Sequence, residues 1–144
     1  MATSCFNACL SNPVSNVTGD NTNYQIVFDS VIFDNNSDYN SSTGVFTAPV
    51  LGKYLFTVTV LGQNESAASL PSVFISTTAR TYYYANNGSA FPGNNLYSYT
   101  VLADMSANDT AQVIFNVQGG TKTVGVYGDN SGHERTFFAG YQVA

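Results

Sequence analysis

The chain has 144 residues, the size of one domain, and only 9% are charged, while 14% are aromatic and none is Trp. Four Lys and Arg stand against nine Asp and Glu, and the net charge of −5 excludes nucleic-acid binding through a basic surface and attraction to an anionic membrane. With 44% hydrophobic residues the chain is expected to fold as a single domain over 1–144, and no apolar run approaches the ~18–20 residues of a membrane span. Its first residues have neither a basic nor an apolar leader stretch, so no export signal is expected.

In chain order, residues 5–10 (CFNACL) read as a strand that holds both cysteines, Cys5 and Cys9. Four residues of separation place the thiols on one face roughly 13 Å apart at ~3.3 Å per residue, beyond the reach of a disulfide. No C-x-x-C spacing or neighbouring His offers a metal site. Two free thiols are expected, which suits folding in a reducing compartment. Next, Tyr24, Ile26 and Phe28 share a face, and from Lys53 to Val60 the residues Tyr54, Phe56, Val58 and Val60 alternate with Leu55, Thr57 and Thr59. The same period of two runs through Tyr97, Tyr99, Val101, Ala103 and Met105, then Ala111, Val113, Phe115 and Val117, then Phe137, Ala139, Tyr141 and Val143. Turn residues punctuate these runs at Gly19, Gly52, 86–88, 91–93, Gly119-Gly120 and 128–130. Many short strands with regular turns predict an all-β sandwich or barrel.

Several strands are apolar on both faces: Leu55 opposes Phe56, Ile114 opposes Phe115, and Phe137 opposes Phe138. A two-sheet sandwich consumes one apolar face per strand, so the surplus predicts a further covering surface, most economically a second copy of the chain; a ligand cleft is the alternative, although the surplus is spread over strands distant in sequence.

Residues 39–56, YNSSTGVFTAPVLGKYLF, resemble the signature of the C1q globular-head domain in the C1q/tumour-necrosis-factor superfamily, in outline Y-x-x-x-T-G-x-F-T-A-P-x-x-G-x-Y-x-F. Phe28-Asp29 upstream, 104–111 (DMSANDTA) and 138–143 (FAGYQV) match further pieces in order. The resemblance implies a ten-stranded jelly-roll sandwich that assembles as a homotrimer through its apolar flank. Gly44 and Gly52 fall where a turn can require positive φ, and Pro49 suits a connection rather than a central ladder. Some members of the family hold calcium through acidic loops on either side of the strand matching Arg80 to Ala85. Here residues 85–95 contain no carboxylate, so a tight calcium site is not expected, and neither metal nor cofactor is assigned.

Three clusters invite chemistry. Asp34-Asn35-Asn36-Ser37-Asp38 begins like a calcium loop but has Tyr39 where Gly is needed and Val45 where the bidentate Glu belongs, so it reads as a turn. His133, beside Asp129, Glu134 and Arg135, is the sole histidine; with no nucleophile elbow around it, it reads as part of an exposed hairpin tip. Tyr82, Tyr83, Tyr84, Asn86, Asn87, Phe91, Asn94, Asn95, Tyr97 and Tyr99 combine rigid aromatic area with adaptable amides, the chemistry of recognition surfaces and of sugar binding. Candidate ligand contacts are therefore Tyr82, Tyr84, Asn86, Asn87, Phe91, Asn94, Asn95, His133 and Arg135, whereas Tyr54, Phe56, Tyr97, Phe115, Phe138 and Tyr141 are expected in the core or the trimer interface. Glycosylation sequons at Asn16, Asn35, Asn40, Asn64, Asn87 and Asn108 are read as a product of composition.

The resulting expectation is a non-catalytic trimeric head that binds a cell-surface glycan or protein receptor, on a viral, phage or microbial fibre, folded in a reducing cytosol and displayed outside. Its partners are further copies of itself and that receptor, not nucleic acid and not a membrane interior. The alternatives are a structural head that nucleates trimerisation of a collagen-like or coiled stalk, and a secreted C1q-like lectin or cytokine-like protein.

Overall fold

Alternating apolar and polar residues of β-branched and aromatic type give thirteen strands and no helix among residues 3–85 and 91–144, which the computed structural model describes. They are β1 (Cys5–Cys9), β2 (Val14–Thr18), β3 (Asn23–Ile26), β4 (Ser30–Asp34), β5 (Tyr39–Asn40), β6 (Val45–Thr47), β7 (Gly52–Glu65), β8 (Leu70–Thr77), β9 (Thr81–Ala85), β10 (Gly93–Met105), β11 (Thr110–Gln118), β12 (Val124–Val126) and β13 (Phe137–Gln142). The pairings are antiparallel and build two sheets. Ten strands form the expected jelly roll, β4-β1-β13-β7-β10 in one sheet and β5-β6-β11-β8-β9 in the other. The other three lengthen it. β12 continues the line of β13 along the far end of β7, β2 pairs with β12, and β3 sits beyond β6 on the same edge of β11.

The inner faces supply the core that the alternation predicts. Tyr54, Phe56, Val58 and Val60 of β7 meet Val113, Phe115 and Val117 of β11, all buried. Phe6 stacks on Tyr39 and Phe46 with ring centroids 5.1 and 5.0 Å apart and meets Phe138 edge-on at 5.1 Å, which joins both sheets through one aromatic cluster. Gly140 lies under that cluster because a Cβ there would sit 2.6 Å from the Phe56 ring and 3.0 Å from Phe6. Pro49 lies in the connection between β6 and β7, as read from sequence. Gly44 adopts φ +75°, as expected, but Gly52 does not have a positive φ. Its small size serves instead the passage of the C-terminus, since a Cβ would meet the Ala144 carbonyl oxygen.

The sequence runs locate β3, β7, β10, β11 and β13, while β2, β4, β8 and β12 escaped that reading. Val14–Thr18 has its two Val three residues apart and so shows no period of two, Val124–Val126 is too short to show one, and β4 presents Val31, Ile32 and Phe33 to solvent from a sheet edge, so no alternation of burial shapes it. The segment around His133 is not a hairpin tip. Residues 127–136 leave and rejoin one line of strands, because β12 and β13 both pair with β7 and not with each other. The Tyr127 amide donates to the Leu61 carbonyl and the Leu61 amide donates to Thr136 Oγ1, which fixes both ends of this excursion.

Candidate functional site

The described aromatic and amide-rich residues of 80–85 and 91–105 do not form one site; the two sheets divide them. β9 is the outer strand of one sheet and β10 of the other, and side chains close the gap between them. Arg80 donates from Nε and Nη2 to the two carboxylate oxygens of Asp104 at 2.9 and 2.7 Å, and that bidentate contact holds the Asp104 carboxyl below its usual range. Tyr99 donates from its hydroxyl to the Tyr82 carbonyl at 2.9 Å, and Tyr84 stacks on Tyr99 at 5.6 Å. Tyr82 and Tyr84 therefore face the sandwich seam. Tyr83 points the opposite way, exposed, against Phe74 at 4.6 Å.

The Asn residues after this seam part company too. Asn95 donates from Nδ2 to the Phe91 carbonyl at 2.7 Å and to Glu65 Oε2 at 3.0 Å, so its amide is spent on structure. Glu65 is 4% exposed and also accepts from the Tyr97 hydroxyl at 2.7 Å; its burial raises the carboxyl pKa, against the lowering effect of these two hydrogen bonds. Sequence reading did not single out Glu65. Its position at the end of a strand whose alternation should have turned it outward gave no cue, since Asn64 breaks the alternation with φ +64°. Asn94 instead opens into a separate polar cavity. Phe91 is 81% exposed, and Asn86 and Asn87 lie outside the described residues.

Arg135 belongs to a third place. Its guanidinium lies 5.4 Å above the Tyr127 ring and donates to the Tyr127 hydroxyl at 3.3 Å, beside a shallow groove with Leu61, Leu96 and Phe137. His133 lies exposed on the same excursion and lines neither this groove nor the polar cavity. Among residues expected in the core or at an interface, Tyr54, Phe56, Tyr97, Phe115 and Phe138 are buried within the chain, while Tyr141 is 45% exposed on the outer face.

That outer face carries Leu55 and Phe137 of the apolar surplus, whereas Ile114 lies on the other sheet, opposite Phe74. On the sheet β4-β1-β13-β7-β10 the outward side chains pair across strands: Leu102 with Leu55, Leu55 with Tyr141, Leu96 with Leu61. Between these two apolar ends runs a row of hydroxyls, where Thr59 and Ser98 share a hydrogen bond of 2.9 Å and Thr100 donates to Thr57 at 3.2 Å. An apolar cleft of about 150 Å³ lies among Phe33, Leu55, Ala139 and Tyr141. Among the described residues no charged side chain lines this cleft.

Asp34 accepts the Asp38 and Tyr39 amides at 3.1 and 2.9 Å, the turn geometry expected of 34–38. Both cysteines are free, Cys9 buried and Cys5 half-buried on β1. Among the described residues no three His, Cys, Asp or Glu side chains converge on a metal position, and no helix is long and apolar enough to cross a membrane.

Two antiparallel sheets in jelly-roll order around a packed aromatic core define a C1q/tumour-necrosis-factor-like β-sandwich. Residues 5–143 match the C1q domain family, and the chain belongs to it. The chain is similar in fold to the globular domain of zebrafish complement 1qA protein, with a TM-score of 0.67, 16% identity, and 99% of this chain and 98% of that one covered. It is similar to murine APRIL at a TM-score of 0.64 and 12% identity, covering 99% and 100%. It is also similar to the PRD1 vertex protein P5, at 0.62 and 10% identity over 100% and 99%. No curated protein matches its sequence.

Proposed function

We propose that this chain is a non-catalytic, homotrimeric head that binds a receptor or glycan at the outer end of a surface or virion fibre. The observation that carries the reading is the uncovered outer face of β4-β1-β13-β7-β10, where a monomer would leave Phe33, Leu96, Leu102 and Tyr141 in water around a half-buried Leu55. Burying it against a neighbour's different surface gives a heterologous contact, which closes as a ring when the rotation allows. The trimers implied by the C1q resemblance satisfy this geometry. Membership in the C1q family supports a binding role, and the likeness to a viral vertex protein supports display on a fibre. Three sites on one body raise apparent affinity through effective concentration, so individually weak contacts suffice.

Light scattering on the purified chain at micromolar concentration tests the assembly: a trimer mass is expected, and a monomer overturns it. Detached heads added to cells test the binding role. Competition with the parent particle for attachment is expected, whereas heads that fail to compete leave the trimerisation reading in its place.

A further inference from the structure

At the end of the sandwich where β2, β12, β7 and β10 run side by side, two irregularities meet. The pairing of β7 with β10 slips between Gly62/Asn95 and Glu65/Gly93, so Gln63 and Asn64 together oppose Asn94, and Asn64 takes φ +64°. The pairing of β12 with β2 also slips, so Ser15, Asn16 and Val17 lie opposite Gly125, and Asn16 takes φ +59°. Gly125 itself pairs with Gln63, which brings the two irregularities onto neighbouring strands. Such bulges re-aim side chains, and left-handed backbone at a residue other than Gly persists only where surrounding structure holds it. Here they border one cavity of about 440 Å³, within the ordinary range for small-ligand sites.

The lining is chemically uniform. Ser15, Asn16, Gln63, Asn64, Asn94 and Thr123 bring amides and hydroxyls, with Gly125, and among the described residues no charged or aromatic side chain lines it. Asn64 spends one Nδ2 proton on the Thr123 carbonyl at 3.1 Å, while the side chains of Ser15, Asn16, Gln63 and Asn94 make no hydrogen bond to any described residue. A carboxamide offers an acceptor and a donor side by side, and a sugar's vicinal hydroxyls offer the same pair in reverse. A cationic or anionic ligand would find no counter-charge here. Strands, not loops, supply most of these groups, which keeps their spacing fixed.

We propose that this bulge-lined cavity is a binding site for a neutral saccharide, held by the amides of Asn16, Gln63, Asn64 and Asn94. It deepens the receptor- or glycan-binding reading above and rests on it. The site lies apart from the Tyr82–Tyr99 seam and from Arg135, to which sequence composition pointed.

The test is a titration of the isotope-labelled whole chain by NMR, with galactose, glucose, mannose and N-acetylglucosamine as probes and N-acetylneuraminic acid and inorganic phosphate as charged comparators. At least one neutral sugar is expected to shift the Ser15, Asn16, Gln63, Asn64 and Asn94 signals saturably in the millimolar range, with the charged probes weaker. Gln63→Ala with Asn94→Ala is expected to weaken that sugar about tenfold, the scale of losing one or two neutral hydrogen bonds. Asn16→Gly keeps the left-handed backbone and removes only the amide, so its weaker binding together with an unchanged melting temperature separates lost contact from lost fold. Absence of saturable shifts at these residues with every neutral sugar, or equal affinity in the double variant, overturns the site. Heads that still compete for cell attachment after either negative result leave the receptor reading standing; heads that never compete remove that reading, whatever the sugars show.

Discussion

At the scale of single residues, the Glu65 carboxyl is under conflicting influences. Burial favours its neutral form, while the Tyr97 hydroxyl and the Asn95 amide favour the carboxylate, and burial prevails. An acid whose folded pKa is raised binds more protons folded than unfolded, so its contribution to stability falls as pH rises from the ordinary carboxylate range through the raised value, and the loss is complete above it. Asp29, Asp104 and Asp129 are shifted down and act in the opposite sense, losing stability as pH falls through their lowered values. Subtracting the melting profile of Glu65→Gln from that of the wild type isolates Glu65. The variant is expected to gain relative stability toward neutral pH, and parallel profiles would contradict this account. Glu65→Ala is expected to cost about 1–3 kcal/mol in denaturant unfolding, because it strands the buried Tyr97 hydroxyl.

At the scale of elements, β13 shows how one strand serves two surfaces. Phe138 and Gly140 face the core, while Phe137, Ala139 and Tyr141 face outward in register with Thr59, Thr57 and Leu55. Phe138→Ala empties space among Phe6, Phe28, Tyr39 and Phe56, and an expected loss of about 3–5 kcal/mol is read from the denaturation midpoint. Gly140→Ala drives a methyl into the Phe56 and Phe6 rings, costing about 1–3 kcal/mol by overpacking. If Gly140→Ala melts with the wild type, the rings yield more readily than their packing indicates. The strand pattern of β7, β10, β11 and β13 was legible because one face of each is sealed by the opposite sheet. By contrast, β2 and β12 owe their existence to the far end of β7, a partner distant in sequence, and no local period announces them.

At the scale of the whole molecule, the proposed assembly can be tested apart from stability. Leu55→Glu places a charge in the apolar outer cleft without touching the inner core, since Leu55 faces away from Phe56. Light scattering is expected to show the variant as a folded monomer with the wild-type circular dichroism spectrum. A variant that stays trimeric would move the interface off this face. The low charge of the chain fits this layout: the inner faces of the central strands are committed to apolar packing, and their outward positions carry Leu55, Leu61, Leu96, Leu102 and Tyr141 together with a row of Thr and Ser hydroxyls.

The sequence by itself determined the all-β class, the free cysteines and the turn at 34–38, and its 39–56 motif marked the resemblance to the C1q head, because alternation, turn chemistry and a short motif are local properties. It also marked the apolar surplus, since Leu55 beside Phe56 needs no structure to be noticed. Only the tertiary structure decided how the amide and aromatic residues are shared out: Tyr82 and Tyr84 to the seam, Asn95 to Glu65, Arg135 to Tyr127, Asn94 to a cavity with Asn16 and Gln63. Those assignments depend on bulges that shift register by one or two residues, and on which strands lie side by side. Both are set by long-range pairing, where a slip of a single residue sends a side chain to the other face of its sheet.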